Sequence, residues 1–124
     1  LSSKEPEVLT LKMPASRDFV DVARLMVAGL GARMDFTYDD VEDLKIAIEE
    51  ALGRTTRESG EVVSIEFLVF QDRLDVCLRG VPRSVWNEKK DQLILKAVTD
   101  EVRVSVSGDT CDLHLLKYKT RKTA

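Results

Sequence analysis

In the stretch YDDVEDLKIAIEEALGRTTRES, Glu50 and Arg54 stand four residues apart on what reads as one amphipathic helix. A carboxylate so placed can act as a general base, polarising the group that attacks a substrate. The same spacing also makes an i, i+4 ion pair, worth ~0.3–0.5 kcal/mol on an exposed helix. Other chemically able side chains are few. Cys77 and Cys111 both fall in strand-like stretches, at positions read as inward-looking, and are expected to be buried free thiols in a reducing compartment. The one histidine, His114, alternates with Leu113 and Leu115 and is expected to face outward. With no Cys-x-x-Cys or His-x-x-x-His spacing, no zinc site is predicted.

The chain that must position these groups has 124 residues, enough for one two-layer core, so a single domain over 1–124 is expected. Its 44% hydrophobic and 33% charged content is that of an ordinary globular protein. A net charge of −3 argues against direct nucleic-acid binding, which needs a concentrated basic surface. The basic run KYKTRKTA reads as a solvated end. No apolar run reaches the ~20 residues that span a bilayer, and LSSKEPEVL lacks a signal-peptide apolar core. No membrane association and a cytoplasmic location are therefore expected.

Periodicity supplies the elements. EVLTLKMP alternates and stops at Pro14, as a strand would. Ser16 can cap a helix carrying Phe19, Val22, Ala23, Met26, Val27 and Leu30, with Gly29 and Gly31 marking close contacts or fraying. Thr37 and Asp40 form a capping-box-like start to a second helix, whose apolar stripe is Val41, Leu44, Ala47, Ile48, Ala51 and Leu52. Two strands follow, with Val63, Ile65, Phe67 and Val69 on one face of the first and Leu74, Val76 and Leu78 on one face of the second. GVPRSVWNEKKD reads as a long loop, QLILKAVTD as a short helix, and EVRVSVS-GD-TCDLHLLKY as a closing hairpin. The predicted order is β-α-α-β-β-α-β-β. It gives an α+β two-layer sandwich, a largely antiparallel sheet with helices on one face.

Three stretches carry a family resemblance: MPASRDFVDVARLMVAGLGARMDFTYDDVEDLKIAIEEA, EVVSIEFLVFQDRLDV and TDEVRVSVSGDTCDLHLLKY. Together they resemble the anti-sigma factor serine kinases, members of the histidine-kinase-like (GHKL) ATPase superfamily. The likeness runs from about Met13 to Tyr118 and implies a reduced histidine-kinase-like ATPase (Bergerat) fold.

The resemblance also implies an ATP site of three parts, each altered here. In the helix motif E-x-x-x-N, Glu50 matches the glutamate, but the Mg²⁺-binding asparagine position falls on Arg54. A guanidinium has no lone pair for a metal and keeps its positive charge. In the D-x-G-x-G motif, the adenine-binding aspartate position falls on Gly80, which offers no side-chain acceptor. The lid is shortened around 81–92, and Lys89 and Asp91 stand where small residues would let the backbone close on phosphates. Glu50 is then a vestigial base, with no ATP, Mg²⁺ or other cofactor expected.

The family's partners are a sigma factor, held inactive, and a STAS-domain anti-anti-sigma protein. Arg24 matches an arginine of the family's partner-facing surface, with Asp21, Asp18 and Arg33 on the same face. From the residues alone, Arg24 reads as a solvated side chain paired with Asp21 or Asp18; with the resemblance, that reading and the partner-facing one stand even. Trp86, in the loop PRSVWNEKK, is either a plug for the sheet edge or an aromatic anchor in an interface. A homodimer is common in the family. The expected function is nucleotide-independent sequestration of a sigma factor or engagement of an antagonist. The alternative is an active serine/threonine kinase that phosphorylates an anti-anti-sigma factor, with Glu50 as base and Arg54 or Lys89 on the phosphates. A third reading is a structural subunit of a signalling assembly.

Overall fold

The computed structural model describes residues 5–55, 62–83 and 88–120, with the side chains at 54–55 and 88–91 left out. β1 spans Glu7–Pro14, α1 Val20–Arg33, α2 Tyr38–Thr55, β2 Val62–Val69, β3 Arg73–Pro82, α3 Glu88–Val98, β4 Glu101–Ser107 and β5 Thr110–Tyr118. The strands form one antiparallel sheet in the order β1-β2-β3-β5-β4. The element order and the α+β class are those expected from the sequence.

Register explains which side chains meet the helices. Met13, Leu11 and Leu9 pair with Val63, Ile65 and Phe67, which are all buried. Across β2 and β3, Ile65 faces Leu78 and Phe67 faces Val76, and these in turn face Leu113 and Leu115 on β5. The alternating residues therefore line one side of the sheet. Ala23, Val27 and Leu30 of α1, Leu44, Ala47, Ile48, Ala51 and Leu52 of α2, and Leu95 of α3 complete the core against them. Each fully buried Leu, Ile or Phe contributes about 1.5–3 kcal/mol of burial free energy, so this layer fixes the orientation of all three helices.

Several local expectations change in detail. Ser16 caps a one-turn 3₁₀ segment, Arg17–Phe19, its hydroxyl accepting from the Asp18 N–H, and α1 begins only after it. Thr37 caps α2 as expected, accepting from the Asp40 N–H at 3.1 Å. The Asp40 carboxylate instead reaches the chain's far end, accepting from the Thr120 N–H at 3.2 Å and the Thr120 hydroxyl at 2.7 Å. Gly31 sits where α1 meets α2, and a Cβ there would lie 2.7 Å from Val41 Cγ2. Gly29 has open space above it, so no contact inside the described residues requires a glycine there.

The long loop is also redrawn. β3 continues through Val81 and Pro82, which pair with Cys111 and Thr110 across a register shift after Leu78. Gly80 lies in this bulge with φ +66°, a conformation glycine adopts without the steric cost that a Cβ imposes. α3 starts at Glu88, earlier than the pattern QLILKAV indicated. Of the expected lid at 81–92, the described parts are therefore strand and helix, and residues 84–87 lie outside the described residues. Among the described residues no helix is long and apolar enough to cross a membrane.

Candidate functional site

The helices cover one face of the sheet and leave the other open. On that open face, β2, β3 and β5 bring Glu66, Cys77 and His114 into one row and Leu68, Asp75 and Leu116 into the next. Cys111 does face the helix-side core, but Cys77 does not. Strand alternation puts Cys77 opposite its neighbours Val76 and Leu78. It is nevertheless fully buried, enclosed laterally by longer side chains.

The open face is laced with opposite charges. Arg79 donates to Glu66 at 2.7 Å and to Asp112 at 2.9 Å, and Arg103 pairs with Glu101 at 3.0 Å. Beside them Cys77 Sγ lies 3.7 Å from His114 Nε2, and His114 Nδ1 lies 3.8 Å from Asp75 Oδ1. This order of thiol, imidazole and carboxylate has the residue types of a nucleophilic triad. Its chemistry is wrong for one. Burial pushes the Cys77 thiol up to about 11, and a protonated, inaccessible sulfur does not attack a substrate. Among the described residues no group of three or more His, Cys, Asp or Glu side chains is arranged to hold a metal ion.

The residues expected at a nucleotide site are only partly described. Glu50 is half-buried on α2. The side chains of Arg54, Lys89 and Asp91, and the whole of Trp86, lie outside the described residues. Gly80 is described, and its N–H is committed to Asp112 Oδ1 at 2.9 Å. That amide is the chief reason the Asp112 carboxyl sits below the usual range, burial opposing it and Arg79 adding to it. With glycine at 80, no side chain at this position offers an acceptor.

The other cluster is on the outer surface of the helix layer. α1 and α2 pack side by side, and their exposed shoulders enclose a groove of about 270 Å³ lined by Asp21, Arg24, Leu25, Ala28 and Lys45. Arg24 donates to Asp21 Oδ1 at 3.2 Å and lies 3.8 Å from Glu49 on α2. It is thus held against the second helix as well as its own. Its Nε is buried and has no hydrogen-bond partner among the described residues. Lys45 pairs with Glu42 at 2.9 Å. Leu25 is 72% exposed and Val22 beside it is 41% exposed.

Of the expected partner-facing residues, Arg24 and Asp21 are brought together here. The sequence reading passed over Leu25, Ala28, Lys45 and Glu49. Residues 42, 45 and 49 share one side of α2 by their i, i+3 and i+7 spacing, a signal present in the sequence. That this side borders α1 depends on how the helices pack.

Another polar cluster joins three elements. Lys117 is mostly buried and donates to Asp43 Oδ2 at 3.1 Å and to the Val98 carbonyl at 3.2 Å, with Asp40 at 3.9 Å. Burial pushes the Asp40 carboxyl up, but hydrogen bonds from Thr120 and Thr37 and the Lys117 charge outweigh it, so the group sits below its ordinary value. The cluster latches the end of β5 to the start of α2 and the end of α3, away from the α1–α2 groove.

No family model matches the chain. The serine-protein kinase RsbW of Bacillus velezensis is 37% identical over 95 residues, 73% of this chain and 59% of its own length. RsbW of Bacillus subtilis is 38% identical over 92 residues, 69% of this chain and 57% of its own. The chain thus spans under two thirds of these relatives. RsbW of Bacillus licheniformis matches more widely, at 31% identity over 135 residues, 86% of this chain and 84% of the relative. Among solved structures, one with the RsbU and RsbW domains of a Mycobacterium tuberculosis protein superposes with a TM-score of 0.69 at 15% identity. That match covers 91% of this chain and 32% of the other, and supports the fold alone. The likeness to Bacillus licheniformis RsbW extends across most of both chains on the helix–helix–sheet frame described above, and the chain belongs to the RsbW serine-protein kinase family.

Proposed function

We propose that this chain is an anti-sigma-type regulatory binding protein that sequesters a sigma factor or engages a STAS-domain anti-anti-sigma protein without ATP hydrolysis. The observation that carries the reading is Arg24, braced between Asp21 on α1 and Glu49 on α2 at the rim of an outward-facing groove. A cation held by two elements keeps its direction, so less ordering entropy is lost when a partner docks on it. Membership of the RsbW family supports the kind of partner.

The absence of kinase activity is supported by chemistry at the aligned positions. Arg54 occupies the place of a metal-ligating amide, and Gly80 the place of a purine-binding carboxylate. A site lacking both a neutral oxygen donor and an acceptor for the base has little differential affinity for Mg·ATP. Release of a bound partner then depends on competition between partners. A cytoplasmic location and a homodimeric state belong to the same reading.

Calorimetric titration with Mg·ATP tests the cofactor half of the proposal. No heat of binding up to millimolar nucleotide is expected, and micromolar affinity would overturn it. The partner half is tested by titrating the protein with a purified alternative sigma factor and with a purified STAS-domain protein from the same genome. Saturable binding of at least one is expected, lowered about tenfold or more by Arg24→Ala.

One feature favours the second reading, an active serine/threonine kinase. Glu50 retains the family's glutamate on a well-packed α2. That reading predicts transfer of labelled phosphate to a serine of the STAS-domain protein, abolished by Glu50→Gln.

A further inference from the structure

We infer that Asp75 and His114 form an acid-operated switch at the centre of the open face of the sheet. In its uncharged form the imidazole accepts the Cys77 thiol hydrogen at Nε2 and carries its own hydrogen on Nδ1, directed at Asp75. In acid, Nε2 takes up a proton from solvent, and the imidazolium becomes the counter-charge that Asp75 otherwise lacks. The switch does not depend on which partner the protein binds.

The other carboxylates on this part of the face are already matched by arginines. Glu66 and Asp112 hold Arg79 at 2.7 and 2.9 Å, and Glu101 holds Arg103 at 3.0 Å. Asp75 differs. Among the described residues its one ion-pair partner is His114, whose Nδ1 lies 3.8 Å from Oδ1. That oxygen is buried and has no hydrogen-bond partner among the described residues. An atom so enclosed is closed to outside groups, but the imidazole already lies beside it. A closure of roughly 1 Å brings the pair to the ~2.8 Å of a charge-assisted bond. Burial pushes the Asp75 carboxyl up against the opposing pull of His114, Arg103 and Arg73, so its anion is under-compensated where it stands.

Cys77 determines the tautomer. Its Sγ lies 3.7 Å from Nε2, and burial keeps the thiol protonated, so sulfur is the donor and Nε2 the acceptor. The ring hydrogen is then on Nδ1, the nitrogen beside Asp75. Proton uptake at Nε2 takes the acceptor from the thiol and gains the ion pair. The His114 side chain is 25% exposed, so water can deliver the proton, and the Asp75 side chain is 17% exposed, so its attraction is weakly screened. Arg103 on β4 stands directly opposite His114 and resists the new charge, but Glu101 offsets it. Asp112, two residues along β5, favours the new charge and is offset by Arg79, which also holds Glu66 beyond Cys77. Asp75 is left to decide the balance.

The full chain has one histidine, so nitrogen NMR of the labelled protein reads this ring alone. At pH 8 the hydrogen is expected on Nδ1, with Nε2 bare. Asp75→Asn keeps the side-chain shape and removes the counter-charge, so about tenfold more acid should be needed to protonate the imidazole. Cys77→Ala removes the hydrogen that competes for Nε2, and several-fold less acid should suffice. Acidification from pH 8 to pH 5 should favour the folded over the unfolded chain several-fold more in wild type than in Asp75→Asn, measured by urea unfolding. If Asp75→Asn fails to fold, the wild-type tautomer and the Cys77→Ala titration still test the switch. A ring protonated on Nε2 at pH 8, or an imidazole titration that either variant leaves unmoved, would overturn it.

Discussion

Replacing Lys117 with methionine removes one buried charge and keeps most of the side-chain volume. The Lys117 side chain is 10% exposed, and its ammonium holds Asp43 at 3.1 Å and the Val98 carbonyl at 3.2 Å, with Asp40 at 3.9 Å. Breaking a buried pair from one side costs about 3–5 kcal/mol, because the other charge stays behind without compensation. Two features reduce that figure here. Asp43 is 38% exposed and can recover water, and Asp40 keeps its donors from Thr120. Lys117→Met is therefore expected to destabilise by about 2–3 kcal/mol, a loss between full pair-breaking and an exposed pair. With a urea m-value of about 1–3 kcal/mol/M, the midpoint should fall by roughly 0.7–3 M at unchanged m.

The double variant Lys117→Met, Asp40→Asn should lose less than the two single losses added together, since the second change removes the charge that the first exposed. The pH response gives a further check. The Asp40 carboxyl is lower folded than unfolded, so its stabilisation is present above the unfolded value, near 3.8, and is lost as pH falls through the folded one. The wild type should therefore lose stability below about pH 4. Asp40→Asn should show a shallower acid loss. A Lys117→Met midpoint within experimental error of wild type, or strictly additive double-variant losses, would refute the latch.

Two further outcomes follow from the packing. Gly29→Ala should stabilise by about 0.5–1 kcal/mol, the helix-propensity gain in open space, whereas Gly31→Ala should destabilise by about 1–2 kcal/mol because Val41 Cγ2 must move. Thermal unfolding of the two variants separates them, and equal shifts would contradict the α1–α2 contact. Both thiols should resist an aromatic disulfide reagent in the native state at pH 8 and react together once urea unfolds the chain, since Cys77 and Cys111 are buried. Fast native labelling at Cys77 would show that the open-face lattice does not enclose it.

The helix-side core was legible because burial on one face leaves a period in the residue types. Val63, Ile65 and Phe67 alternate, and Leu44, Ala47, Ile48, Ala51 and Leu52 recur at the helical period. The turn at Gly108 was legible from the Gly-Asp pair between two alternating runs, and its φ of +62° is the conformation that such a turn demands. Cys77 was misread because a small apolar residue in a strand looks inward by type. Its place between Val76 and Leu78 gives the opposite face, and the neighbours that bury it come from other strands. The start of α3 was missed because EKKD carries no apolar period.

Sequence by itself determined the elements, their order, the apolar stripes that had to meet, and the family, because each is written in local spacing or in an ordered run of motifs. Only the tertiary structure decided that a lysine at 117 is buried against Asp43 and near Asp40, that Lys45 lines the same groove as Arg24, and that Glu49 lies 3.8 Å from that arginine. A charged side chain announces its affinity for water but not its neighbours. Which carboxylate it meets depends on helix crossing and strand register, and those are set by the whole core closing at once.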